Sequence, residues 1–209
     1  MAVNRNGFLT GKVGGMVTYP LNGVLVTRAI GVNTNPPTLK QLSVRQRTAL
    51  VNDFLKQVSE FTSVGFELNA KKAKKRAYAL AFGYNWGFGV KGTYPDIQID
   101  FENFRLSEGQ LPLVNDFEVV VEEKGLRYNW NADTTPDGAH WSDQVMMLAY
   151  FPALKKAFYC TAGANRINGT DLLPIRYENN ELVAETYLAF ISNDRKRISN
   201  SIYTGQLIW

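Results

Sequence analysis

Two residue types that build many metal and redox sites are almost missing from this 209-residue chain, which has one cysteine, Cys160, and one histidine, His140. A four-ligand zinc site needs clustered soft ligands, so one of each excludes zinc in a monomer. A single thiol excludes an internal disulfide, and Cys160 reads as a core residue. No run of about 18 apolar residues occurs, so insertion into a membrane as a spanning helix is not expected. Met1-Ala2-Val3-Asn4-Arg5-Asn6-Gly7 lacks the apolar stretch of a secretory signal. The expectation is a chain that is cytoplasmic at synthesis, with a virion as a later destination. Asn168-Gly169-Thr170 has the glycosylation-acceptor pattern, but without a secretion signal it reads as a turn.

Catalytic patterns are equally sparse. His140 lies in Asp137-Gly138-Ala139-His140-Trp141-Ser142-Asp143, where Ser, His and Asp are neighbours on a loop with no nucleophile elbow. Gly7-Phe8-Leu9-Thr10-Gly11-Lys12-Val13 has part of the spacing of a phosphate loop. Its first glycine is one position too close, no Ser or Thr follows Lys12, and a hairpin rather than a helix comes next. The Glu122-Glu123 pair reads as solvated surface. No catalytic residue, metal ligand or cofactor is expected, and the chain is not expected to be an enzyme.

What the chain has is an ordinary globular composition, with 45% hydrophobic and 20% charged residues and a mean hydropathy of −0.21. A chain this long buries roughly 70% of the surface that it would expose unfolded. Its charge is uneven. Residues 1–95 carry 13 basic and 3 acidic side chains, a balance of +10, whereas residues 96–209 carry 10 and 16, a balance of −6. Such asymmetry points to an anionic partner for the front half or to head-to-tail attraction between copies.

The order of signals predicts an α+β chain, with a basic N-terminal region of hairpin and helices over 1–95 and an acidic β-domain over 96–209. Two β-rich runs from Met16 to Arg28 flank Asn22-Gly23, a dipeptide that suits a type I′ hairpin turn. Pro20 belongs on an edge or beside that turn. Asn33-Thr34-Asn35-Pro36-Pro37 reads as a stiff linker, and Thr38-Leu39-Lys40-Gln41 has capping-box spacing, so a helix is expected from Thr38 to about Thr62. A second is expected from Asn69 to about Phe82, with Ala70, Ala73, Ala77 and Ala81 along one stripe and Lys71, Lys72, Lys74, Lys75 and Arg76 on the opposite face. Gly83-Tyr84-Asn85-Trp86-Gly87-Phe88-Gly89 reads as a loop or bent strand. From about Tyr94 the period becomes two: strands are expected at Ile97–Phe101, Phe117–Glu122, Leu126–Trp130, Gln144–Phe151, Ala157–Thr161, Thr170–Ile175, Leu182–Ile191 and Ile198–Ile208. Short strands without intervening helices predict an antiparallel β-sandwich of immunoglobulin or fibronectin type III type, with Trp130 and Tyr187 in the places of the core tryptophan and corner tyrosine.

Asn6-Gly7, Gly11-Lys12-Val13-Gly14-Gly15, Tyr19, Asn22-Gly23, Arg28, Asn35-Pro36-Pro37-Thr38, Gln41 and Arg45 together resemble the N-terminal signature of an uncharacterised bacterial family, found mainly in Bacteroidota and their phages. The resemblance covers about a quarter of the chain and brings no activity, cofactor or catalytic residue. It implies that the glycine-rich hairpin and the helix start form a shared module.

Gly11, Lys12, Gly14, Gly15, Tyr19, Gly23 and Arg28 are therefore candidate interaction residues, because a glycine-lined strand pair can pair its backbone with a neighbour's sheet edge. The expected function is a non-enzymatic assembly protein, a phage or prophage virion component, whose partners are copies of itself or other structural proteins. The alternative is a nucleic-acid-associated protein in which Lys71, Lys72, Lys74, Lys75 and Arg76 contact phosphates and Tyr84, Trp86 and Phe88 offer stacking surfaces. A surface- or carbohydrate-binding module is the third reading.

Overall fold

A computed structural model describes residues 3–5, 8–32, 34–134, 136–176 and 181–209. The parts of the sequence readings that fall on Met1, Ala2, Asn6, Gly7 and Asn33 lie outside the described residues. The chain divides into two compact units, Met1–Thr38 and Leu39–Trp209. The boundary expected at 95/96 falls inside the second unit.

The first unit is a meander of four antiparallel strands, β1 (Val3–Arg5), β2 (Phe8–Val13), β3 (Met16–Leu21) and β4 (Val24–Ala29), paired in chain order. Asn22 at φ 48° and Gly23 at φ 82° form the β3–β4 turn, because both central positions of a type I′ turn need positive φ. Gly14 turns the preceding hairpin at φ 54°. Pro20 faces Leu25 across the β3–β4 ladder and lies past the last β2–β3 pair, Gly11 with Thr18, so β2 demands no N–H from it.

The second unit starts with α1 (Leu39–Gln57), α2 (Ser59–Gly65), α3 (Glu67–Ala73) and α4 (Ala77–Phe88). The single helix expected to Thr62 is interrupted at Val58, where φ −112° and ψ 20° leave helical geometry. Lys74, left-handed at φ 52°, and Arg76, extended, likewise split the second expected helix. The segment expected as a loop from Gly83 to Phe88 is helical. Its Asn85 is fully buried, donating to the carbonyls of Ala81 at 2.9 Å and Arg105 at 2.8 Å and accepting from the Arg105 N–H at 2.7 Å. Those bonds outweigh the roughly 1 kcal/mol that each glycine costs a helix interior.

Of the strand expected over Ile97–Phe101 only β6 (Gln98–Ile99) forms, paired with β5 (Val90–Lys91). The seven later strands lie close to expectation: β7 (Phe117–Glu122), β8 (Gly125–Trp130), β9 (Gln144–Phe151), β10 (Lys156–Cys160), β11 (Thr170–Pro174), β12 (Val183–Ile191) and β13 (Ile202–Ile208). They form two antiparallel sheets, β11-β8-β7 and β10-β9-β12-β13. In a constant-type immunoglobulin domain the fourth strand joins the first, second and fifth; here it pairs with the third, giving a fibronectin type III-like order.

The four-stranded sheet is covered on both faces. Val145, Met147, Ala149, Phe151, Leu188 and Phe190 meet Val119, Leu126, Tyr128 and Trp130 of the three-stranded sheet. On the other face Met146, Leu148, Tyr150, Tyr187, Ala189 and Ile191 join Val51, Phe54, Leu55, Phe61, Phe66 and Ala81 of the helices. This unit is thus three layers, helix on sheet on sheet, and β9 is an almost unbroken apolar run because both of its faces are interior.

Trp130 and Tyr187 are both core residues, yet neither fills the role expected of it. Trp130 lies on the second strand of the sandwich rather than the third, packs edge-on against Phe190 at 5.7 Å and donates to the Arg166 carbonyl at 2.8 Å. The Tyr187 hydroxyl donates to the Phe101 carbonyl at 2.7 Å, far upstream and outside the sandwich, so it forms no local corner. Cys160 is half-buried beside the inter-sheet core. Gly169, left-handed at φ 67°, makes the expected turn. Among the described residues no helix is long and apolar enough to cross a membrane.

Candidate functional site

The first candidate surface is the β3–β4 hairpin. Directly opposed residues of an antiparallel pair point to the same face, and the register aligns Lys12, Val17 and Arg28 in one row across three strands. On β3 and β4 the same face continues through Tyr19 opposite Val26 and Leu21 opposite Val24. The Arg28 guanidinium lies 5.9 Å from the Tyr19 ring centroid. The opposite face is more polar at its centre, where the Thr18 and Thr27 hydroxyls pair at 2.9 Å.

Lys12, Tyr19 and Arg28, three of the expected interaction residues, therefore share a face with four further apolar side chains, Val17, Leu21, Val24 and Val26. Gly14, Gly15 and Gly23 occupy turns, and Gly11 adopts φ 112° inside β2. Among its described residues unit 1 is a single sheet without a second layer of its own, and Leu21 and Val24 are 52% and 65% exposed. Residues 1–38 carry Arg5, Lys12 and Arg28 and no Asp or Glu.

A model for a family of unknown function (DUF6266) matches residues 8–205. The chain belongs to this family. No curated protein matches it. The match takes in both units, from β2 to most of β13, so the exposed hairpin falls within the family's span.

The second candidate surface was expected on one face of a basic helix, and the structure disperses it. Lys71 and Lys72 stand in the last turn of α3, where Lys71 pairs with Glu67 at 2.6 Å; Lys74 caps that helix, and Lys75 and Arg76 lie in the link to α4. Tyr84, Trp86 and Phe88 are not a stacking row either, since Tyr84 lies under the Arg105 guanidinium at 4.1 Å and Trp86 faces Arg47 at 5.1 Å.

Lys72 instead lines a cleft of about 330 Å³ together with Arg105, Lys196 and Arg197, against one carboxylate, Glu108. Asn69, Gln110 and Asn200 add amides. The last two basic residues are set by a tight turn. The Ser192 hydroxyl donates to Asp194 at 2.7 Å and accepts from the Arg197 N–H at 2.9 Å, while Asp194 accepts from the Lys196 N–H at 3.0 Å. These bonds hold the Asp194 carboxyl below its usual range, the Ser192 hydroxyl contributing most. Sequence reading missed this cluster because Arg105, Lys196 and Arg197 lie far from Lys72 and no periodicity joins them.

Ser142, His140 and Asp143 do not form a relay. The His140 imidazole contacts the Ser142 hydroxyl through Nδ1 at 2.7 Å, but Asp143 turns away from the ring, accepting from the His140 backbone N–H at 2.8 Å and pairing with Arg166 at 3.3 Å. Both members of that ion pair are buried; burial pulls the Arg166 guanidinium below its usual range and Asp143 opposes the shift. Among the described residues no three His, Cys, Asp or Glu side chains gather as a metal-ligating group.

Proposed function

We propose that the protein is a structural assembly component, a virion protein of a phage or prophage, that joins its neighbours through the N-terminal sheet. The observation that carries the reading is the apolar face of Val17, Tyr19, Leu21, Val24 and Val26 on a sheet whose unit has no second layer among its described residues. A lone sheet of this kind gains stability only when another surface covers one face, since each fully buried Val or Leu side chain is worth about 1.5–3 kcal/mol. The basic margin of Lys12 and Arg28, in a unit without carboxylates, favours an acidic partner, and residues 96–209 of a second copy carry the required excess of negative charge. The resemblance of the N-terminal motif to proteins of Bacteroidota and their phages points the same way.

Sedimentation of the full chain and of residues 39–209 tests the reading. The full chain is expected to form oligomers at micromolar concentration and the shortened chain to stay folded and monomeric. A full chain that is monomeric at every concentration and ionic strength would overturn self-assembly.

A further inference from the structure

The basic cleft of the second unit has no part in the assembly reading. Its walls come from three separate segments: the end of α3 with Asn69 and Lys72, the stretch Arg105–Gln110, and the turn and strand entry Lys196–Asn200. Four cations converge there against Glu108, and surrounding contacts set the guanidiniums. Arg105 stacks on Tyr84 at 4.1 Å and reaches Glu108 at 3.3 Å, and Arg197 donates to the Gly138 carbonyl at 2.9 Å.

The cleft floor is equally constrained. Gly109 approaches so closely that a Cβ there would lie 2.0 Å from the Ile198 carbonyl oxygen. Its N–H donates to the Asn200 side-chain oxygen at 3.1 Å, and the Asn200 Nδ2 group has no hydrogen-bond partner among the described residues. Asn69 is held by donating to the Glu108 carbonyl at 3.1 Å. Held amides beside fixed guanidiniums make a site whose ordering cost is met by folding and not by the ligand.

We infer that this cleft binds a phosphate group. Charge and geometry select that class. The lining balance of four cations and one carboxylate is +3, and Asp194, 3.9 Å from the Lys196 ammonium just outside the lining, lowers the local charge to +2, still more than a single carboxylate ligand neutralises and matched to a doubly charged phosphate group. Guanidinium groups present paired N–H donors that fit phosphate oxygens, and ammonium groups add point charges. The volume lies at the lower end of small-molecule sites, enough for a phosphate with a small attached group. Concave walls of one sign also concentrate an anion ahead of contact.

Calorimetric titration of the full chain with pyrophosphate, at constant ionic strength, is the test. Saturable binding is expected, with Lys72→Gln and Lys196→Gln each weakening it about tenfold, the loss of one charge-assisted contact. Both lysines are on the surface, so these variants keep the fold; Arg105→Gln is a further variant, judged only if its unfolding transition matches the parent. Absence of saturable heat, equal binding by both lysine variants, or the same response to acetate at equal ionic strength would each overturn the site. A competing single-stranded oligonucleotide identifies the source: displacement of pyrophosphate assigns the site to a nucleic-acid backbone, and failure to displace assigns it to a small phosphorylated molecule.

Discussion

Arg166 and Asp143 show how much one buried pair can govern. Arg166 lies across the Phe190 ring at 4.2 Å, donates to the Pro112 carbonyl at 2.6 Å, and through its own carbonyl receives the Trp130 indole, so it ties two loops to the sandwich core. Asp143 Oδ1 and Arg166 Nη1 find no hydrogen-bond partner among the described residues, which makes the pair's balance poor and its disruption costly. Arg166→Met is expected to lower unfolding free energy by about 3–5 kcal/mol, because it strands a buried carboxylate. The double variant Arg166→Met with Asp143→Leu should recover much of that loss in urea unfolding; a double variant as unstable as the single would contradict the stranded-charge argument. Tyr159 gives a test by pH. Its hydroxyl donates to the Glu60 carboxylate, linking β10 to α2, and that bond first, with burial second, pushes the phenol up from 10.0 to about 12. A raised folded value means that the stabilisation is complete below about pH 10, the unfolded value, and is lost as pH rises through about 12. The difference between the tyrosinate absorbance titrations of the parent and Tyr159→Phe should show one phenol ionising near 12; a missing phenol near 10 would show that the bond to Glu60 is absent in solution.

At the scale of elements, strands were far more legible than helices. β7 and β9 form over Phe117–Glu122 and Gln144–Phe151 as the period-two and apolar patterns predict, and Asn22-Gly23 marks its turn, since each signal is local. The helical breaks at Val58 and Lys74 leave no such mark. Nor does the helical course of Gly83 to Phe88, which depends on Asn85 finding the Arg105 backbone. Gly65 is a similar case: a Cβ there would lie 2.2 Å from the Leu106 carbonyl oxygen, a closeness that no sequence pattern announces. The boundary expected at 95/96 falls inside one compact unit, and the physical reason is similar, because the switch of periodicity marks a change of secondary structure and not an end of packing. Met146, Leu148, Tyr150, Tyr187, Ala189 and Ile191 need the helices to leave water. Residues 39–209 are therefore expected to unfold in one cooperative transition, whereas residues 96–209 alone should expose that sheet face and bind a hydrophobic dye or aggregate. A soluble 96–209 fragment with a sharp transition would show that the helices are an accessory to the sandwich.

For the whole molecule the question is which force joins copies, and the sheet's composition separates two answers. Attraction between the +10 of residues 1–95 and the −6 of residues 96–209 weakens with salt, because the screening length falls to about 8 Å at 0.15 M and about 3 Å at 1 M. Burial of Val17, Tyr19, Leu21, Val24 and Val26 does not weaken in this way, since apolar transfer depends on area removed from water. The register places five apolar side chains against Lys12 and Arg28 on that face, so the apolar contribution is expected to dominate the equilibrium and the charges to set encounter rate and orientation. Raising salt from 0.15 M to 1 M should thus slow association while leaving the dissociation constant within about tenfold, a shift no larger than about 1.4 kcal/mol. Val24→Glu with Val26→Glu should abolish assembly at every salt concentration and leave the unfolding of residues 39–209 unchanged, because both side chains stand on the exposed sheet and neither enters the core of the second unit. Light scattering of parent and double variant across that salt range checks both statements. If salt alone dissolves the parent's oligomers, charge and not the apolar face holds copies together, and the interface belongs to the basic and acidic regions as wholes.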